Sequence, residues 1–159
     1  MAGFVKFDGV DGESKDKGHA DWCDLVNFSH GYVKSGGGTG SKRRRGDVQI
    51  SDFNLRVDID KAAPKLGEAA LSGKVFPKVE IHVTASYTDA GRVTFYAYEL
   101  KNVQIAHYQV GGDTDGDGIP EIAMSLNFEE IKVTYTECDN EGKSKGNVEM
   151  TWKVEEGEK

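Results

Sequence analysis

The chain lacks the sequence features of a membrane-spanning protein and of a disulfide-stabilised one. No apolar run approaches the roughly 20 residues that cross a bilayer, so we expect no membrane insertion. There are only two cysteines, Cys23 and Cys138. Two cysteines do not make a disulfide framework, and cytosolic synthesis keeps thiols reduced, so two free thiols are favoured over a disulfide.

The start of the sequence does not have the pattern of a signal peptide. The first residues, MAGFVKFD, include charged side chains where a signal peptide has an apolar core. We therefore expect the protein to be made in the cytoplasm. If it is secreted, we expect it to leave without a signal peptide, by a route that recognises the folded chain.

Motifs of catalysis and of nucleic-acid binding are missing as well. The histidines are scattered and form no His-x-His or His-Glu-x-x-His pattern, and there is no Gly-x-Ser-x-Gly motif. The carboxylates lie mostly in predicted turns and in the C-terminal tail, so none is indicated as a buried acid with a shifted pKa. The formal net charge of −7 would repel a nucleic acid. The sequence therefore predicts neither an enzyme nor a nucleic-acid-binding protein.

Alternation of apolar and polar residues is the strongest positive signal, and it predicts seven or eight β-strands. Val79, Ile81 and Val83, for example, share one face of a predicted strand. The alternation changes phase at residues 51–52 and again at residues 129–130, which predicts a β-bulge or bend at each place. No internal repeat or change of composition divides the 159 residues, so we expect a single domain over residues 1–159.

One segment, residues 60–73, carries a helix signal. Pro64 stands where a proline is tolerated in the first turn, and Gly73 can end a helix in the left-handed conformation. Three more residues of the segment fall at helical spacing: Leu66, Ala69 and Ala70. We predict a short α-helix over about residues 62–72. A β-rich chain with one helix is typical of a small, closed, mainly β architecture, whereas a parallel sheet needs a helix at each crossover.

A long loop is predicted over residues 34–47, and it is glycine-rich at first and then strongly basic. Its four consecutive basic residues are Lys42, Arg43, Arg44 and Arg45. The spacing from its glycines to the lysine does not match a phosphate-binding loop, and no aromatic residues interleave the basic ones as at a nucleic-acid site. Two interpretations stay open. The run docks onto an acidic protein surface, which the rest of this chain could supply, or it is simply solvated.

A second loop, residues 111–121, is rich in aspartate and glycine. Asp113, Asp115 and Asp117 alternate with other residues, a spacing that directs oxygen atoms towards a hard cation such as calcium, and Glu121 would be a fourth ligand. An EF-hand does not fit, because Met124 stands at the twelfth position. A calcium-dependent extracellular binding module is therefore an alternative function, and a solvated turn of aspartate and glycine is the simpler interpretation of the loop.

Three separated segments together resemble one protein family. Residues 9–19 are GVDGESKDKGH, residues 60–66 are DKAAPKL, and residues 126–135 are LNFEEIKVTY. In type, spacing and order they resemble three segments of the haemolysin-coregulated proteins, the tube subunits of type VI secretion systems. These are a Gly-Glu-Ser-x-Asp-x-x-His segment, an Asp-Lys-Ala-Ser-Pro-x-Leu helix segment and the late strands. Ala63 stands where that family often has serine, so we expect the usual side-chain cap before Pro64 to be missing.

The resemblance implies a small β-barrel of two antiparallel sheets flanked by one short helix, similar to phage tail-tube proteins. It implies a structural protein without catalysis, whose homohexameric rings stack into a hollow tube that a contractile sheath propels out of the cell. The sheath and spike components of the secretion machine would be its partners. Small effector proteins would be carried in the lumen. The loop at residues 34–47 would be the ring-contact loop, with Lys42 to Arg45 docking on an acidic face. No cofactor is expected other than the calcium considered above.

Overall fold

The computed structural model describes residues 1–34, 48–88 and 90–154. These residues form one helix and ten strands, in the order β1 (Ala2–Phe7), β2 (Cys23–Ser29), β3 (Tyr32–Lys34), β4 (Val48–Ile50), β5 (Phe53–Asp58), α1 (Ala63–Ser72), β6 (Val75–Tyr87), β7 (Gly91–Gly111), β8 (Glu121–Asn127), β9 (Glu130–Cys138) and β10 (Ser144–Lys153). The predicted mainly β class and the short helix are confirmed. Within these residues no helix has the length and apolar character that a membrane span requires.

Six strands close into a barrel. The strand order of the main sheet is β10-β9-β7-β6-β1-β2-β5-β8, and β8 also pairs with β7. The 21 residues of β7 make this closure possible, because the edge that faces away from β6 is shared between two strands. β9 pairs with its residues 96–101, and β8 pairs with its residues 104–111. The barrel is therefore complete, and β9 and β10 extend the sheet beyond it.

The second sheet is a two-stranded antiparallel hairpin of β3 and β4. It follows directly from β2 and leads directly into β5, which are themselves paired. The Ser51 backbone N–H donates to the Gly31 carbonyl (3.0 Å), and the Ser51 hydroxyl donates to the same oxygen (2.6 Å). The hairpin thus continues the β2–β5 pair past the end of the barrel, and its two strands flank residues 35–47.

The two predicted phase changes are breaks between strands rather than bulges within them. Residues 51–52 separate β4, which lies outside the barrel, from β5, which lies within it. Residues 128–129 separate β8 from β9, which pair with different parts of β7. The real register shifts occur elsewhere, for example at residues 25–27 and 105–107. A change of sheet partner and a bulge both reverse the alternation, so the sequence pattern alone could not separate them.

Helix α1 packs against the barrel through its apolar face. Leu66 is completely buried within the same apolar cluster as Phe76, Leu100 and Val103. The Tyr108 hydroxyl donates to the Ala63 carbonyl (3.0 Å) and anchors the first turn. At the other end Gly73 adopts the left-handed conformation (φ 70°), as predicted, and its carbonyl accepts a hydrogen bond from the Gln104 side chain (3.1 Å). The helix is therefore fixed to β7 at both ends.

Candidate functional site

Two of the three motif segments contact each other at the start of α1. The Lys61 backbone N–H donates to Glu13 Oε2 (3.1 Å), and the Glu13 backbone N–H donates to Asp60 Oδ2 (3.3 Å). Asp60 Oδ1 accepts from the Ala62 backbone N–H (2.9 Å). The structure places the N-cap at Ala62 rather than at Ala63, where the missing side-chain cap was expected, and Ala62 makes no side-chain cap. The carboxylates of Glu13 and Asp60 provide the negative charge that favours a helix N-terminus.

The first motif segment also approaches the residues just before β2 very closely at Gly12. The Gly12 N–H donates to the Asp21 carbonyl (2.7 Å), and a Cβ at this position would lie 2.5 Å from the Trp22 carbonyl oxygen. Only glycine leaves room for this approach. The residue types of the motif are therefore explained by packing: they join the loop after β1 to the start of the helix.

A buried polar network is centred on His19, which is only 6% exposed. Asp16 Oδ2 lies 2.8 Å from His19 Nδ1, and His19 Nε2 lies 3.0 Å from His82 Nδ1. Asp16 Oδ1 also forms an ion pair with Arg92 Nε (2.9 Å). The His19 ring stacks on Phe4, with 4.4 Å between the ring centroids. The network fastens the segment after β1 to β1, β6 and β7.

The charge states in this network follow from its hydrogen bonds. The hydrogen bond from His19 lowers the pKa of Asp16, so this carboxylate is ionised and accepts from His19 Nδ1–H. Burial, and then the neighbouring His19, lower the pKa of His82. With the His82 ring neutral, its Nδ1–H can donate to His19 Nε2. In the described part of the chain, no serine or cysteine side chain hydrogen-bonds to either ring.

The histidines are scattered in the sequence, but the fold brings His19 and His82 together. His82 lies on β6 directly opposite Phe4 of β1, and no local sequence pattern marks it. Only the register of the β1–β6 pair places it beside His19. The two cysteines are both free thiols, as predicted, and burial is the main cause that raises the pKa of Cys23.

An apolar cavity of about 320 Å³ lies between the β3–β4 hairpin and strands β9 and β10. We call it the hairpin cleft. Its apolar and aromatic lining residues are His30, Tyr32, Val48, Ile50, Ile131, Met150 and Trp152. Lys34 also lines it and is the one charged residue among its described lining residues. The cleft therefore combines an apolar interior with a basic side chain.

His30 contributes an imidazole ring to the lining of the cleft, and its Nε2 is buried with no hydrogen-bond partner among the described residues. Its ring stacks on Phe53, with 5.5 Å between centroids, and lies at an angle to Phe128 (5.7 Å). Burial lowers the pKa of His30, so the ring tends to be neutral. A buried nitrogen without a partner is costly unless another molecule supplies one.

The acidic loop joins β7 to β8 and includes the four predicted calcium ligands. No group of three or more His, Cys, Asp or Glu side chains in residues 1–34, 48–88 and 90–154 is arranged to hold a metal ion. The structure thus does not bring Asp113, Asp115, Asp117 and Glu121 together. Glu121 Oε2 instead faces Arg56 Nε at 3.6 Å. Calcium binding at this loop stays a prediction.

Exposed apolar side chains accompany the acidic loop. Ile119 is 61% exposed, and Val110 and Ile59 beside the loop are exposed as well. The Ile59 N–H donates to the Pro120 carbonyl (2.9 Å), which holds the loop against the end of β5. We call residues 111–121, with Ile59 and Val110, the loop end.

The hairpin cleft and the loop end lie at opposite ends of β5 and β8. Phe53, the residue that stacks on His30, pairs with Leu126 at one end of these strands. Asp58 pairs with Glu121, the last residue of the acidic loop and the first of β8, at the other end. The five intervening steps of β5 span about 17 Å. The chain therefore carries an apolar and basic surface at one end of the barrel and an acidic one at the other.

The predicted ring-contact residues Lys42, Arg43, Arg44 and Arg45 lie outside the described residues. What the structure gives is the position of their anchors, Lys34 at the end of β3 and Val48 at the start of β4. The basic segment is thus connected to the hairpin end of the barrel.

Comparisons with known proteins agree with the geometry. The family model described as "Type VI secretion system effector, Hcp" matches residues 4–135. Protein hcp1 of Pseudomonas aeruginosa is 32% identical over 153 residues, which cover 95% of this chain and 93% of that protein. A solved type six secretion system protein superposes with a TM-score of 0.91 at 26% identity, covering 99% of this chain and 98% of the other. Hcp1 from Salmonella typhimurium gives a TM-score of 0.79 at 20% identity, covering 99% and 97%, and supports the fold alone. The chain belongs to the Hcp family of type VI secretion system proteins.

Proposed function

We propose that this chain is a structural, non-catalytic subunit that forms homohexameric rings, which stack into the inner tube of a type VI secretion system. Membership of the Hcp family is the observation that carries the proposal. The two ends of the barrel add a physical reason. Clustered exposed apolar side chains often mark protein–protein contacts, and here several occur at each end of the barrel.

The asymmetry of the barrel favours head-to-tail contacts. An isologous dimer would need one self-complementary patch, whereas this chain offers two patches of different chemistry. A heterologous contact closes into a ring when its rotation closes, and it continues as a filament when it does not. A stacked tube of rings uses both kinds of contact: one closes each ring, and the other repeats along the tube.

The partners follow from the same proposal. Other copies of the chain are the first, and the sheath and spike components of the secretion machine are the others. Small effector proteins would occupy the lumen of the ring before export. The chain would leave the cytoplasm as part of the tube rather than through a signal peptide. Lys42 to Arg45 would contact an acidic surface of a neighbouring copy.

Size-exclusion chromatography with multi-angle light scattering, combined with negative-stain electron microscopy, tests the proposal. A particle of roughly six times the 17.4 kDa chain, seen as a doughnut, is the expected result. A strict monomer at high concentration would contradict it, and so would turnover of any substrate.

Deletion of residues 36–45 should leave the barrel folded but weaken ring stacking or assembly. The reason is that the deletion removes the basic run, whereas the barrel strands and core lie outside it. Circular dichroism and light scattering at matched concentrations report the two effects separately. A variant with Lys42 to Arg45 replaced by serine keeps the loop length and isolates the role of charge. Unfolding of the deletion variant would show that the prediction is wrong.

The calcium-dependent binding module stays the alternative proposal. It requires the acidic loop to rearrange, since its carboxylates do not converge. The check is the melting temperature in calcium and in magnesium, for the intact protein and for Asp115→Asn. A rise that is specific to calcium and lost in the variant would support the module, because a ligand that binds only the folded state stabilises it. Equal melting temperatures in calcium and in magnesium would rule out the calcium-dependent module.

A further inference from the structure

We propose that residues 11–22, which join β1 to β2, form a latch that opens in mild acid while the barrel stays folded. We call them the latch segment. Near neutral pH the segment lies closed over the outer face of β1, and proton uptake by the His19–His82 pair releases it. The inference concerns a property of a single copy of the chain, so it goes beyond the proposed function and does not rest on it.

The latch segment is a unit with its own hydrogen bonds. It contains no helix or strand. The Ser14 N–H donates to the Trp22 carbonyl (2.9 Å), and the Asp21 N–H donates to the Ser14 carbonyl (3.0 Å). Its link to β6 runs through the contact between His19 and His82. A loop that is fastened by side-chain contacts can open at a lower free energy than the strands of the barrel core.

The outer face of β1 is covered by this segment. Phe4 lies between its cross-strand neighbours Asp24 and His82, yet it is only 4% exposed. The His19 ring lies flat against Phe4, with an angle of 9° between the two planes. Arg92 adds a further cover, with its guanidinium carbon 5.5 Å from the centroid of the Phe4 ring. Opening of the latch segment would therefore uncover an aromatic surface that is closed near neutral pH.

A proton added to the closed pair finds little compensation. The hydrogen bond between His19 Nε2 and His82 Nδ1 holds a single proton, and His19 is only 6% exposed. Asp16, on the other side of the His19 ring, is already paired with Arg92. Burial, and then the neighbouring His19, lower the pKa of His82. The charged form of His82 is therefore disfavoured for as long as the segment is closed.

The charged groups on the neighbouring strands do little to change this. On β6, Glu80 favours the charged form of His82, but it is itself paired with Lys78 (2.8 Å). On β2, burial is the main cause that raises the pKa of Asp24, so its negative charge is lost at a higher pH than that of an ordinary aspartate. On β1, Lys6 is a further cation. The other charged side chains of the latch segment are exposed: Asp11, Glu13, Lys15, Lys17 and Asp21.

The barrel has its own support for β1. This strand pairs with β6 at six positions, from Ala2 to Phe7, and Val5 and Phe7 are completely buried in the core. The latch segment covers the opposite face of the strand. Once the segment moves away, both rings of the pair meet water, and burial no longer opposes the charge on His82. Acid is therefore expected to open the segment before it unfolds the barrel.

Amide hydrogen exchange of the full chain at pH 7.5 and pH 5.5, resolved by NMR and corrected for the intrinsic exchange rate at each pH, tests the latch. The lower pH stays above the isoelectric point of about 5.1. The amides of Ser14, Asp21 and Trp22 donate within the segment and report on the latch. The amides of β6 and β7 report on the barrel. Light scattering at each pH separates changes of assembly from opening of the segment.

We expect the protection of the latch amides to fall at least about four-fold from pH 7.5 to pH 5.5, since one fully excluded proton gives up to about ten-fold over this range. The amides of β6 and β7 should change by less than about two-fold. His82→Gln should lose most of the pH dependence, because glutamine can donate to His19 but does not titrate. His107→Gln is the matched control, since it removes an exposed histidine of β7. It should behave as wild type.

Latch amides whose protection is the same at both pH values would overturn the inference. A parallel loss of protection in β6 and β7 would do so too, because it would indicate global unfolding, and so would a His82→Gln protein with the pH dependence of wild type. If His82→Gln does not hold the segment closed at pH 7.5, Glu80→Gln is the second variant. It keeps both rings but removes a charge that favours charged His82 in the closed state, so the segment should open further at pH 5.5. Unchanged exchange in that variant would overturn the role of His82.

Discussion

Replacing Leu66 with alanine is expected to lower the free energy of unfolding by about 2–5 kcal/mol. Leu66 is 0% exposed and lies in the core cluster between α1 and the barrel. The substitution removes apolar surface from this contact and leaves a cavity, since β7 and the helix are tied together on both sides of it. Tyr108 holds the first turn and Gln104 holds the last, so the helix cannot readily move inwards to fill the space.

Leu71→Ala is the matched control for this prediction. It makes the same change of side chain in the same helix, but Leu71 is 92% exposed. Leucine and alanine are both good helix formers, so we expect its effect to stay within about 0.5 kcal/mol. Urea unfolding of the intact protein, at one fixed concentration because assembly adds stability, measures both. Similar losses in the two variants would show that burial of the helix face does not stabilise the barrel.

Helix α1 could be predicted from the sequence because its signals are local. The proline near its start, the glycine at its end and the helical spacing of Leu66 and Ala69 all lie within one segment. The barrel strands with one buried face, such as β5 and β8, could be predicted equally well, since their inward residues alternate with outward ones. An element that has one apolar face and residues that mark its own start and end can therefore be predicted from its local sequence.

Strand β1 shows why other elements could not be predicted. Phe4 and Val5 are adjacent and both buried, so the alternation that identifies a half-exposed strand is missing. Val5 belongs to the core, whereas Phe4 is covered on the outside by His19 and Arg92. The cover comes from the loop after the strand and from β7, which is distant in sequence. A strand that is buried on both faces has no periodic signal.

The candidate surfaces could be predicted from the sequence only in part, for the same reason. Composition indicated a basic loop and an acidic loop, and the structure adds that their anchors lie at opposite ends of the barrel. The hairpin cleft could not be foreseen, because His30, Val48 and Trp152 are far apart in the sequence. The contact of His19 with His82 depends on the register of β1 and β6 in the same way. Pairing over long distances decides these sites, and the sequence alone does not state the pairing.

The stability of the fold is expected to fall as the pH decreases from about 7.5 to about 5. Burial and His19 lower the pKa of His82 below its ordinary value of 6.5, so the unfolded chain binds more protons in this range. The stabilisation is therefore present above pH 6.5 and is lost as the pH falls through and below that value. The two facing nitrogens of His19 and His82 are 3.0 Å apart, so the hydrogen bond between them holds a single proton.

The groups around the pair determine how steep the loss is. Asp16 contacts His19, and Arg92 forms an ion pair with Asp16. Glu80 opposes the lowering of the His82 pKa, because its charge favours the charged form of that ring. His82 is also partly solvated, so the slope should be only a fraction of the about 1.4 kcal/mol per pH unit that a fully excluded proton gives. Asp16 affects stability in a different, more acidic pH range. Its pKa lies below 3.8, so its contribution is present above that value and is lost only at more acidic pH.

Chemical denaturation at several pH values, in wild type and in His82→Gln, measures the effect. Glutamine keeps a donor for His19 Nε2 but does not titrate, so this variant should have a flatter stability profile between pH 7.5 and 5 than wild type. His30→Phe is the control that this comparison requires, because burial also lowers the pKa of His30 and the ring contributes in the same direction. Removing His30 should take away only the part of the pH dependence that His30 contributes. The contribution of His82 should stay unchanged, since the two rings lie in different aromatic clusters. A wild-type profile that is flat across this range, or a His82→Gln profile as steep as that of wild type, would show that the histidine pair does not couple protons to folding.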